Sequence, residues 1–377
     1  MTKLLSWERA LYRHLKPVSA RLTPAVIVIL HILAVLSLLF YMRRVGTILL
    51  LVQFVCFILL LALNYRAIRS VRLAAFLAAD VLAVLISVLL HPGYGVALTY
   101  LGTVIAVVIF RNIALSRRIY TVIHLISAIG LTYMLGMTTF TYTPFLQMLG
   151  NEINRNFCGI LAVMCLLHWL CAFDMMRIKP YYRLLGQALG VILGVSYVLQ
   201  FQCRSSMLAL AVVFALCICK WRAFSPRMQR MATVTVLITC LTFPFLYLAM
   251  YRRMPDVLIL GKPLFSGREE IWLNVLRLFK EKPIFGYGTT VNEYTHHAML
   301  HVALCLGIVA VIGWIVIHCF PCRIEGPYTA RRLAQFAYLG GLFISFFEAF
   351  PFNHYAYIFF LSFLLSAVRT EGGEGAP

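Results

Sequence analysis

Acidic residues are scarce in this chain of 377 residues, which carries 13 aspartates and glutamates against 33 lysines and arginines. The three aspartates, Asp80, Asp174 and Asp256, form no D-x-D pair, which argues against a diphosphate site built around a carboxylate-held metal. Charge of either sign is thin: 12% of residues are charged and 62% are hydrophobic, with a mean hydropathy of +0.89. A soluble domain runs nearer a quarter charged, so composition excludes a soluble globular protein and leaves an integral membrane protein. Paired cysteine spacing is also missing. The eleven cysteines sit singly along apolar runs, and Cys319–Cys322 is one C-x-x-C with no second pair to complete a zinc site. The first 21 residues lack a cleavable signal pattern and read as a basic cytoplasmic prefix. No internal repeat occurs, and the one low-complexity stretch is the terminal "EGGEGAP".

What is abundant is long apolar runs. A hydrocarbon core of about 30 Å needs roughly 20 apolar residues per helix. Twelve such segments can be drawn, over 22–41, 46–64, 73–90, 94–110, 119–138, 157–173, 184–200, 205–219, 231–250, 298–318, 335–350 and 354–368. The expected fold is an all-α polytopic membrane protein of about twelve transmembrane helices. It forms one integral membrane domain over 1–377, with a cytoplasmic basic N-terminus at 1–21 and a cytoplasmic tail at 369–377.

Basic residues orient it. With the N-terminus inside, the inner segments hold 22 of the 33 lysines and arginines, and each inner loop after the first span carries at least three. Much of the net charge of +20 is therefore a topology signal, and no nucleic-acid partner is implied. Eleven cations remain outside. Seven of them, Arg252, Arg253, Lys262, Arg268, Arg277, Lys280 and Lys282, lie in one long outer loop over 251–297.

Inside that loop, "EEIWLNVLRLFK" places Ile271, Trp272, Val275, Leu276 and Phe279 at helical spacing, with Arg277 and Lys280 on the other side. This predicts an amphipathic helix lying in the interface, with Ser266 and Gly267 at its start. Pro283 stops it, and Gly286 and Gly288 permit tight turns. The chain then returns to the membrane at "THHAMLHVALCLGIVAV", which clusters His296, His297 and His301.

These segments resemble the O-antigen ligase and O-antigen polymerase superfamily. The resemblance rests on Ser266-Gly267-Arg268 before the interfacial helix, on Pro283, Gly286 and Gly288, and on Thr295-His296 with Gly307 eleven residues after the histidine. Upstream, "QCRSSMLALAVV" resembles the family's Ser-Arg motif at the start of a helix, with Arg204 as its arginine. "NEINRNFCGILAVM" resembles an Asn-rich helix opening, with Asn154 and Asn156. The match covers the second half of the chain well and the first half in hydropathy alone. Two positions depart from the pattern: His297 stands where the family commonly has Asn, and Cys203 where it commonly has Ser.

The resemblance implies a GT-C-like glycosyltransferase in the bacterial plasma membrane. Its partners would be a polyprenyl-diphosphate-linked oligosaccharide donor, a glycan acceptor, the lipid membrane and other polysaccharide-assembly proteins. The residue types suit that reaction without a metal or other cofactor. Arginine stays charged and grips phosphate oxygens bidentately, so Arg204 and Arg268 are expected to stabilise the leaving diphosphate. An imidazole, with an ordinary pKa near 6.5, can take a proton from an acceptor hydroxyl, and spacing to Gly307 favours His296 for that role. Arg252, Arg253, His297, Asn154, Asn156 and Glu348 are the expected substrate contacts. Repeat-unit polymerisation is the preferred activity, with ligation of finished glycan as the alternative. A lipid-linked oligosaccharide transporter comes behind both, because no repeated halves occur and the polar residues gather at one surface.

Overall fold

The computed structural model describes residues 2–39, 43–65, 71–90, 95–140, 155–218, 225–254, 258–259, 262–263, 267–288, 295–319, 328–349 and 357–368. Helices dominate these residues. In chain order they are α1 (Thr2–Leu39), α2 (Arg43–Leu63), α3 (Val71–Leu90), α4 (Gly95–Phe110), α5 (Arg117–Phe140), α6 (Arg155–Met175), α7 (Pro180–Phe201), α8 (Arg204–Ile218), α9 (Pro226–Arg253), α10 (Arg268–Glu281), α11 (Ala298–Cys319), α12 (Tyr328–Ile344) and α13 (Tyr357–Leu361). Two short ribbons accompany them. β1 (Ala114–Ser116) pairs in parallel with β4 (Ser366–Val368), and β2 (Leu258–Ile259) pairs antiparallel with β3 (Lys262–Pro263).

Seven helices among the described residues are long and apolar enough to cross a membrane, and three apolar helices are shorter, at Ile48–Leu63, Val96–Phe110 and Arg204–Cys217. The protein is an integral membrane protein. α6 and α11 are the most enclosed of the long helices, and α7 and α3 the most exposed. Close helix approach is bought with small residues. Gly186, Gly190 and Gly194 recur one per turn on α7 and lie against Phe173, Trp169 and Leu166 of α6; a Cβ on Gly190 would sit 2.7 Å from Trp169 Cβ.

At the C-terminal end the described residues depart from the helices expected there. The segment expected as a helix over 335–350 starts earlier, at Tyr328, and stops at Ile344, after which Ser345 to Phe347 form a turn. The last expected span, 354–368, is described from Tyr357. There it is a five-residue helix, a 3₁₀ turn at Ser362–Leu364 and strand β4. These eight described helical residues reach about 12 Å. The Ser362 hydroxyl donates to the Phe359 carbonyl at 2.6 Å, and Leu365 is extended (φ −65°, ψ 143°) as the chain turns into β4. Apolar composition alone did not reveal this exit from the helix.

α11 holds the most informative irregularity. Gly307 interrupts it at φ 81° and ψ −178°, a conformation open to glycine alone among the common residues. The turn after α10 lies in that break. Tyr287 N–H donates to the Leu304 carbonyl at 2.8 Å, Gly288 N–H to the Cys305 carbonyl at 2.7 Å, and Ile308 N–H to the Pro283 carbonyl at 2.9 Å. Backbone groups freed by a broken helix must find partners inside the protein, and this turn supplies them. Gly286 and Gly288, at φ 66° and 67°, make the turn tight enough to enter. Ser87 on α3 fixes it from the side by donating to the Phe285 carbonyl at 2.6 Å.

Candidate active site

Three elements meet where α10 packs on the bundle: the first turn of α10, the approach to α11 and the exit from α12. α10 is amphipathic as its spacing requires, with Trp272 and Val275 buried and Ile271, Leu276 and Phe279 partly so. Gly267 starts it in the left-handed region (φ 78°) without a side-chain cap; Ser266 lies outside the described residues. Trp272 anchors the helix. Its ring packs 4.7 Å from Tyr247 of α9, centroid to centroid, and its Nε1–H donates to the Thr295 carbonyl at 2.7 Å.

That last bond ties α10 to the histidine segment. The Thr295 hydroxyl donates to the His297 carbonyl at 2.9 Å, and Ala298 N–H donates to the Ser345 carbonyl at 3.0 Å. Between these fixed neighbours His296 adopts φ 48°, left-handed and costly for a residue with a Cβ. The conformation turns its ring toward Glu348. Glu348 Oε2 lies 3.1 Å from His296 Nδ1, and Glu348 Oε1 accepts from Arg268 Nη2 at 3.1 Å. The carboxylate is 3% exposed, Arg268 14% and His296 22%, so the two cation-forming groups rise toward the surface from a buried anion.

His297 faces the other way. It is fully buried, its Nε2–H donates to the Cys240 carbonyl at 2.9 Å, and its Nδ1 accepts from Leu300 N–H at 3.2 Å. Both ring nitrogens are thus committed within the protein, and the ring caps the first turn of α11. Burial lowers its pKa to about 3; the bond to Cys240 resists this and the charge of Arg268 adds to it. His297, an expected substrate contact, thus presents an enclosed and neutral ring.

The remaining expected residues distribute as follows. Arg204 is the first residue of α8, half-buried. α8 runs antiparallel to α12: Leu216 and Cys217 pack on Phe336 and Leu339, and a Cβ on Gly340 would lie 2.8 Å from Val213 Cγ2. Continued to their ends, this register carries Arg204 to the end of α12 from which Glu348 follows. Asn156 opens α6 beside it, with its carbonyl accepting from Cys203 Sγ at 3.5 Å. Arg252 and Arg253 close α9 and are exposed, where cations complement the helix C-terminus. Asn154 lies outside the described residues. Asp80 is buried, and its carboxyl oxygens both lie 3.1 Å from the Tyr100 hydroxyl; it lies in the α3–α4–α11 packing.

Sequence reasoning placed Glu348 among substrate contacts and did not see it as the group between Arg268 and His296. A lone acid in "FFEAFPF" was the available signal, since an unpaired carboxylate is costly among aromatics. Thr295 was marked by its place beside His296 in the motif, and the role of Trp272 in holding it left no signal beyond the apolar spacing of α10. Chemically, the arrangement offers a guanidinium for anionic oxygens and an imidazole oriented through one ring nitrogen, both on a rigid carboxylate. No curated protein and no solved structure matches the chain. Residues 189–315, from within α7 to within α11, match the family model described as O-antigen ligase.

Proposed function

We propose that the chain joins polyprenyl-diphosphate-linked glycan repeat units at the outer face of the bacterial plasma membrane, with both termini cytoplasmic. The observation that carries this reading is the meeting of Arg268 and His296, both within the region that matches the O-antigen ligase model, on the buried carboxylate of Glu348 beyond it. Arg268 and Arg204 neutralise the charge that grows on the diphosphate as its bond to the anomeric carbon breaks. His296 accepts the proton of the attacking sugar hydroxyl. Displacement from the face opposite the diphosphate inverts the anomeric centre. Arg252, Arg253, Asn156 and Asn154 are assigned as substrate contacts, and no metal is needed because arginines carry the charge stabilisation. α10 lies in the outer interface, the level at which a lipid-anchored diphosphate headgroup sits.

Transfer of finished glycan to a different acceptor is the second reading, favoured by the description of the matching family. Cells lacking their own copy, complemented with this chain, separate the two. Polymerisation restores long glycan on the lipid carrier from single units; ligation moves glycan that is already long off the carrier. A chain that instead carries lipid-linked units across the membrane restores neither from externally supplied donor.

A further inference from the structure

We propose that Glu348 is a positioning residue that makes His296 responsive to the donor's diphosphate. This rests on the donor and base roles given above. A carboxylate accepts hydrogen bonds and donates none, so the His296 nitrogen facing it, Nδ1 at 3.1 Å, carries the ring proton. The lone pair of the neutral ring is thereby placed on Nε2, the nitrogen that receives the hydroxyl proton. The same carboxylate holds Arg268 at 3.1 Å. At 3% exposure Glu348 has little water to share its charge with, so what it gives to one partner it withholds from the other.

A diphosphate offers Arg268 more negative charge and more acceptor oxygens than one carboxylate does. When the donor binds, Arg268 turns part of its charge to the phosphates, and Glu348 turns toward His296. The imidazolium that forms on proton uptake is then paired with an anion. In the step itself, the acceptor oxygen bonds to the anomeric carbon as its proton passes to Nε2. The carbon–oxygen bond to diphosphate breaks, and its electron pair leaves with the polyprenyl diphosphate beside Arg268. His296 afterwards returns the proton to water. Without donor, Arg268 keeps Glu348 occupied, and the base is least supported when there is no sugar to transfer.

The arrangement is tested with the full chain in lipid nanodiscs, ¹⁵N-labelled at histidine, with the His296 ring signals assigned by their loss in His296→Gln. The probe is a polyprenyl diphosphate without glycan. Wild type is expected to show the proton on Nδ1 with Nε2 bare at the working pH, and, when the probe binds, to shift the uptake of the second proton to a higher pH. Glu348→Gln keeps the shape and an acceptor oxygen but lacks the charge. It should bind the probe within about threefold of wild type, lose the shift, and lower kcat about tenfold or more at little change in KM for donor. Glu348→Asp should restore part of both. Binding of the probe without a shift in wild type, or an undiminished shift in Glu348→Gln, overturns the coupling alone. Failure of wild type to bind the probe overturns the donor reading itself.

Discussion

Gly307 of α11 faces the Ile284 carbonyl so closely that a Cβ on the glycine would lie 1.9 Å from that oxygen. The contact explains why a glycine stands eleven residues after His296: the helix must break there to accept the turn that follows α10. Gly307→Ala adds both the clash and the cost of φ 81° to a residue with a Cβ. The variant is expected to lose most of its folded membrane level, measured as monodisperse protein after detergent extraction. Gly102→Ala is the control, since its Cβ meets only side chains, at 3.3 Å or more.

Ser87 holds the same turn from α3. Ser87→Ala leaves the Phe285 carbonyl without its 2.6 Å donor. A buried acceptor left unmet costs about 1–3 kcal/mol, so the midpoint of thermal unfolding should fall while the protein still assembles. Transfer activity should fall further than stability does, because the turn lies upstream of His296 in the same loop.

His297 and His296 should separate cleanly in stability measurements. His297→Ala removes the cap on Leu300 N–H and the bond to Cys240, and is expected to destabilise by about 2 kcal/mol or more. His297→Asn keeps a short acceptor at the cap and should retain more stability than the alanine variant. His296→Ala should change stability little and activity greatly.

The same residue gives a pH dependence. The His297 ring titrates near 3 when folded, against an ordinary 6.5 when unfolded, so between those values the unfolded chain binds more protons. Its contribution to stability is therefore complete above pH 6.5 and is lost as pH falls toward 3. At pH 5 wild type should have lost about 2 kcal/mol more than His297→Asn, relative to each at pH 8. Equal acid sensitivity of the two proteins contradicts the buried, neutral assignment.

Much of this architecture was legible in the sequence, for physical reasons that differ by element. The amphipathic helix over 269–280 announced itself because one face must be apolar at an interface, and the structure extends it by one residue at each end. Gly286 and Gly288 read as turn residues, and both take positive φ. The break at Gly307 was hidden because the run around it is uniformly apolar, so no periodicity marks the point where backbone partners change. Glu348 was legible as a residue of interest and not as a partner, since its contacts with Arg268 and His296 come from 80 and 52 positions away. Composition gave no sign that the apolar run described over 357–368 ends in a strand.

The most direct measurement supplies lipid-linked single repeat units to the purified chain in nanodiscs and follows glycan length. Wild type is predicted to build long glycan on the lipid carrier. Arg204→Ala, Arg268→Ala and His296→Ala are predicted to leave single units, with rates lower by about 10²-fold or more. In His296→Ala, donor binding should persist. Undiminished polymer from any two of these variants contradicts the account, as does a wild-type protein that leaves every unit unjoined while long glycan is neither made nor transferred.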